Sequence, residues 1–205
     1  MMPRVLLLHG IWNAKAWLGP LARRLRDAGF EVEVFGYPSV FGGPDIAVPR
    51  LIQRLRDTGP AAVLGHSLGG LIALEALHRA PDLPVARVVC LGSPLRGSGA
   101  ARGLAGNAWT SPALGRSAGL LQRGFECWEG KPQVGVVAGN VPHGLGMHFA
   151  RFEGESDGTV SLEETRLPGL ADHCVVASSH SGLVLSAQAA RQAAHFLHEG
   201  RFLHP

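Results

Sequence analysis

The sequence predicts one α/β domain: a mostly parallel sheet of about six strands with helices on both faces. Three observations lead there. Short apolar runs alternate with longer segments of helical periodicity along almost the whole chain. Strand followed by helix followed by strand requires crossover connections, and those join parallel strands whose two faces are both covered. The 205 residues are enough for one well-packed core and short for two.

The elements follow in order. Arg4 to Leu8 reads as a buried strand, and Lys15 to Ala28 as a helix ended by Gly29. Glu31 to Phe35 alternates with period two, a strand signature. Asp45 to Thr58 places Ile46, Leu51, Ile52 and Leu55 on one helical stripe. Ala61 to Leu64 is a strand, and Leu68 to Arg79 is a helix apolar on most sides, hence central. Strands are expected at Ala86 to Leu91, Gln133 to Ala138 and Cys174 to Ala177. A last helix spans Leu183 to Glu199, with Gly200 as its C-terminal stop. Leu95 to Pro132 breaks the pattern. Rich in Gly, Ser, Ala and Arg, with Trp109 and Trp128, it reads as a cap-like insertion within a domain covering 1–205.

Composition narrows the function classes. With 46% hydrophobic and 17% charged residues the chain is globular, not disordered. The 28 glycines follow no three-residue period, which excludes a collagen-like rod. A net charge of +3 is mild, and the arginines are spread through amphipathic segments such as Ala22-Arg23-Arg24-Leu25-Arg26, so no nucleic-acid partner is expected. Three cysteines, none at C-x-x-C spacing, give no disulfide framework and fit a reducing compartment. No window reaches the roughly 18 apolar residues of a membrane span. The run Val5 to Leu8 is too short for a secretory signal, so a cytoplasmic protein is expected.

The sharpest motif is Gly65-His66-Ser67-Leu68-Gly69, a G-x-S-x-G sequence between a strand and a helix. Such a turn forces its serine into strained backbone angles and sets it at a helix N-terminus, where free N–H groups favour developing negative charge. No G-K-[ST] follows, so a nucleotide-binding phosphate loop is excluded. Ser67 is therefore the candidate nucleophile.

A serine hydroxyl needs a base, and the base an orienting acid. Asp157, in Ser156-Asp157-Gly158-Thr159-Val160, is the candidate acid; Glu153, Glu155 and Asp172 are its rivals. His180, between the last strand and the last helix, is the candidate base. His143 and His148 lie in the acid's long loop and could line the site. Acyl transfer also builds negative charge on a substrate oxygen, which backbone donors must receive. Leu68 N–H is one expected donor and Ile11 N–H, in the loop His9-Gly10-Ile11-Trp12, the other. Trp12 either walls the acyl site or packs against the body; with His9 and His66 it is a candidate substrate contact. No histidine pair has further ligands at metal-site spacing, so no metal is expected.

These residues resemble those of small bacterial α/β-hydrolases related to lipases and esterases. The likeness is carried by His9-Gly10-x-Trp12, Gly65-His66-Ser67-Leu68-Gly69-Gly70, Gly92-Ser93-Pro94, Asp157-Gly158-x-Val160 and His180-Ser181-Gly182-Leu183. The closing His195-Phe196-Leu197 and Gly200-Arg201-Phe202 extend it. The resemblance implies hydrolysis of a small-molecule ester or lipid-like substrate, of short to medium acyl length, by a Ser-His-Asp triad without a cofactor. Two departures qualify it: the strand at Arg4 takes the oxyanion position with no two strands before it, and the insertion is short for a lipase lid. A thioesterase, amidase or acyltransferase would use the same triad. A binding protein that kept the fold and lost turnover is the alternative from another class, and an intact Ser, Asp and His argue against it.

Overall fold

The computed structural model describes residues 3–106, 111–143 and 154–204. Six strands form one sheet: β1 (Arg4–Leu8), β2 (Glu31–Phe35), β3 (Ala61–His66), β4 (Val85–Leu91), β5 (Gln133–Gly139) and β6 (Asp172–Val176). The order across the sheet is β2-β1-β3-β4-β5-β6, and every neighbouring pair is parallel. The chain thus moves outward from β1 to β2, then crosses back to β3 on the other side of β1. The connections after β1 and β3 leave toward opposite edges at this reversal, and the carboxyl ends of the strands there are where open α/β sheets bind ligands.

The alternation of side chains along β1 shows how both faces are closed. Val5 and Leu7 join one apolar cluster, shared with α1 (Gly19–Asp27) and α8 (Ala187–Glu199). Leu6 and Leu8 point the opposite way, into a cluster with α2 (Gly43–Thr58) and α3 (Leu68–Arg79). Period two in a strand buried on both faces yields an unbroken apolar run, as Val5 to Leu8 displays. The insertion holds α4 (Gly99–Ala105), two short 3-10 turns at Ser111–Ala113 and Gly115–Ser117, and α5 (Ala118–Arg123). The segment between β5 and β6 carries α6 (Leu162–Thr165), and α7 (Gly182–Leu185) follows β6.

Several element boundaries differ from the sequence reading, each for a local reason. The segment read as one helix from Lys15 begins as a 3-10 turn at Lys15–Leu18, and α1 starts at Gly19 with Pro20 in its first turn. Proline lacks an N–H and is tolerated only there. The last helix is two: Ser186 is extended, and its hydroxyl accepts the Ala189 N–H to cap α8. The sixth strand begins at Asp172, two residues before its expected start. Pro49 sits inside α2 without ending it.

α8 anchors its face through Phe196, which is fully buried and has its ring 4.8 Å from that of Phe202. Gly135 in β5 leaves the space that this ring fills, since any side chain there would strike it. Phe196→Ala should therefore destabilise the protein by about 3–5 kcal/mol, read as a lowered urea midpoint in equilibrium unfolding.

Candidate active site

Ser67 sits between β3 and α3 with φ 55° and ψ −121°. Among the described residues only Ser67 and Trp12 (φ 62°) hold positive φ without being glycine, and they lie in the segments that follow β3 and β1. Close packing enforces the turn at Ser67. A side chain on Gly65 would fall on the backbone of Gly69 and Gly70, and one on Gly69 would fall on the carbonyls of Leu8 and His9. The Ser67 N–H is fixed by the Leu91 carbonyl at 2.9 Å, which ties the turn to the neighbouring strand. Leu68 opens α3, where the first N–H groups have no partner within the helix.

Asp157 is 1% exposed. Its Oδ1 accepts the N–H groups of Thr159 at 2.9 Å and Val160 at 2.7 Å. Its Oδ2 accepts Nδ1–H of His180 at 2.8 Å. The backbone repeats the link, His180 N–H donating to the Asp157 carbonyl at 2.9 Å. A carboxylate only accepts, so Nδ1 carries the imidazole proton and Nε2 is left with a lone pair. The Asp157 turn is closed by a bridge between Ser156 and Ser161. Ser161 also caps α6 in a reciprocal box with Glu164.

Ser67 follows β3 and His180 follows β6, so both stand past the carboxyl ends of parallel strands, with no hydrogen bond between their side chains among the described residues. His66, next to Ser67, has its ring 4.9 Å from that of His180 and donates from Nε2 to the His180 carbonyl at 3.1 Å. The loop after β1 passes over the serine: a side chain on Gly10 would meet Ser67 Cβ at 3.0 Å. The rings of His9 and His66 are not presented to solvent; both residues are buried. Trp12 is 51% exposed, and its indole N–H donates to the Ala113 carbonyl of the insertion at 2.7 Å. Glu155 and His143 are exposed, whereas Glu153, His148 and Trp109 lie outside the described residues. Asp172 opens β6 at the far end of the sheet, where it accepts Phe202 N–H and His204. Among the described residues no group of three or more His, Cys, Asp or Glu could hold a metal ion.

Sequence reasoning missed Glu164 and Tyr37. Glu164 is mostly buried and accepts N–H groups from Ser161 and from Gly99 at the start of α4, joining the turn after Asp157 to the segment that holds α4. Burial, the largest influence, holds its carboxyl above the usual range. The spacing Ser161-x-x-Glu164 was a legible capping signal, but its bond to Gly99 crosses 65 residues. The insertion is tied down elsewhere too. Arg116 N–H donates to the Val40 carbonyl at 3.0 Å and Ser117 hydroxyl to the Ser39 carbonyl at 2.5 Å.

No family model matches the sequence, and no curated protein matches it. Solved structures do. The mature form of the lipase BlEst2 from Bacillus licheniformis matches with a TM-score of 0.74 at 22% identity, over 95% of this chain and 90% of that one. The type II thioesterase BorB from the borrelidin biosynthetic cluster matches with a TM-score of 0.65 at 17% identity, over 97% and 92%. Phospholipase PlaB from Legionella pneumophila matches with a TM-score of 0.68 at 16% identity, and this chain spans 57% of its length. The chain has the α/β-hydrolase fold.

Burial, above all, holds His66 down to about 3 and His173 down to about 4. An unfolded histidine protonates near 6.5. Between those values the unfolded chain binds protons that the folded chain refuses, so stability rises with pH there and is lost as pH falls. The urea midpoint should drop as pH is lowered from about 7 to about 4.5. His173→Gln, which keeps a hydrogen-bonding group beside Thr165, should make the dependence shallower.

Proposed function

We propose that the chain is a serine hydrolase that cleaves carboxylic esters of short to medium acyl length through Ser67, His180 and Asp157. One observation carries this reading: a serine held at positive φ at a helix N-terminus shares a sheet rim with a buried Asp157–His180 pair at 2.8 Å. A backbone outlier of that kind is stored at functional sites, and a buried carboxylate bonded to Nδ1 is what a general base requires. The fold likeness to a lipase, a phospholipase and a thioesterase is consistent with it.

In this mechanism His180 Nε2 takes the Ser67 hydroxyl proton as Oγ attacks the ester carbonyl. The tetrahedral oxyanion is received by the N–H groups of Leu68 and Ile11. The carbon–oxygen bond to the alcohol then breaks, and His180 returns the proton to the leaving oxygen. A water molecule, deprotonated by the same Nε2, attacks the acyl-enzyme. The acid is released and Ser67 is restored. Asp157 orients the ring and stabilises the imidazolium without taking the proton. Every group comes from the chain, so no cofactor enters.

The insertion, tied to Trp12, Ser39 and Val40, crowds the rim beside the oxyanion loop. This favours a short or medium acyl chain. The unpaired Cys90, Cys127 and Cys174 fit a reducing, cytoplasmic setting. No helix among the described residues is long and apolar enough to cross a membrane.

A fluorophosphonate probe should label the folded protein at Ser67, located by mass spectrometry. Ser67→Ala should abolish labelling and lower kcat on a p-nitrophenyl ester by at least about 10⁴-fold. Retention of near wild-type turnover by Ser67→Ala would overturn the assignment. Parallel ester, thioester and amide substrates on one preparation decide which acyl group the triad prefers.

A further inference from the structure

His9 sits between two rigid neighbours. Its ring lies 4.4 Å from that of Tyr37 with only 9° between the planes. The backbone N–H of Tyr37 points at His9 Nε2 at 3.4 Å. An N–H can only donate, so Nε2 carries no proton and the single imidazole proton is on Nδ1. Nδ1 lies 2.8 Å from the Gly10 carbonyl, which accepts that proton. The ring is thus neutral, in one tautomer, with both nitrogens used inside the chain. Burial, its main influence, holds His9 below the usual histidine range and keeps it neutral. Tyr37 adds a third link: its hydroxyl donates to the His9 carbonyl at 2.5 Å.

The bond to Gly10 has a geometric consequence. No described peptide is cis, and in a trans peptide the carbonyl and the following N–H point in opposite directions. The carbonyl of the Gly10–Ile11 peptide is turned toward the His9 ring, on the side where Tyr37 follows β2. The Ile11 N–H is therefore turned away from β2. β1 lies between β2 and β3, so that side is the one on which Ser67 follows β3.

We propose that His9 is a positioning residue for the oxyanion hole, its Nδ1–H holding the Gly10–Ile11 peptide so that the Ile11 N–H faces the nucleophile. Tyr37 fixes the tautomer that makes this possible. The inference rests on the serine-hydrolase reading above and gives His9 a role in which it touches no substrate. A glycine at position 10 leaves the peptide otherwise free to rotate, so the imidazole supplies a constraint that the loop lacks.

The test compares three substitutions at one position. Asparagine puts an amide N–H where Nδ1–H stands, glutamine reaches only the Nε2 position, and phenylalanine keeps the ring and the stack without any donor. With a p-nitrophenyl ester, His9→Phe and His9→Gln should lower kcat about 10- to 100-fold with little change in KM. His9→Asn should recover most of it. A matched thionoester adds a readout that packing alone does not move. Sulfur accepts hydrogen bonds poorly, so a working oxyanion hole favours the oxygen ester, and His9→Phe should narrow that preference about tenfold or more. Tyr37→Phe, which keeps the stacked ring and the backbone N–H but loses the hydroxyl bond to the His9 carbonyl, should narrow it in the same direction by a smaller factor, and it serves if His9→Phe does not fold.

Wild-type kcat and ester preference in His9→Phe, or phenylalanine outperforming asparagine, would overturn the role and leave the triad standing. Wild-type protein that neither labels with fluorophosphonate nor hydrolyses esters overturns both.

Discussion

The backbone at Ser67 holds a conformation that a residue with a side chain enters at a cost of about 1–3 kcal/mol, and much of the surrounding architecture serves to keep it there. β3 must end against β4 so that the Leu91 carbonyl can take the Ser67 N–H. α3 must leave so closely over the end of β3 that only glycine fits at position 65, and so closely over the end of β1 that only glycine fits at position 69. That approach in turn packs the apolar α3 into the middle of one layer, with ten of its residues buried from Leu68 to Leu77.

The other two proposed triad members depend on a different kind of order. Asp157 is held by hydrogen bonds, not by apolar packing. Two N–H groups from its own turn bond to one buried oxygen and an imidazole N–H to the other. Glu164 repeats the scheme one turn later, with N–H groups from two separate segments. Buried carboxylates are tolerable only when so satisfied. The Asp157 turn and the start of α4 are thus joined through a polar contact. His66 contrasts with them: its Nδ1 is a buried side-chain atom without a hydrogen-bond partner.

Much of this was legible in the sequence because it is written in local patterns. Val5 to Leu8 and Glu31 to Phe35 announce strands by composition and alternation. Ser67 announces itself by the glycines its turn requires. Asp157 is read from the segment Ser156 to Val160, and His180 from its place between the last strand and the last helix. The insertion was not, because α4 and α5 are short, rich in Gly and Ala, and folded on contacts such as Ser117 with Ser39, which no periodicity encodes. His9 and His66 were read by adjacency to reactive positions. Burial of their rings follows from Tyr37 and His180, residues 28 and 114 positions away.

The sheet ends on one side at β2, five residues long. Glu31 pairs with Arg4 at 2.9 Å, and Glu33 pairs with Arg54 at 2.6 Å. An open parallel edge is a template on which a second copy could lay a strand. Here an incoming strand would have to run beside two carboxylates already engaged by arginines, along an edge too short to offer many backbone bonds in return. The charges that look like ordinary surface decoration therefore act as a stop against strand-by-strand self-association, and they sit at the edge farthest from β6 and His180.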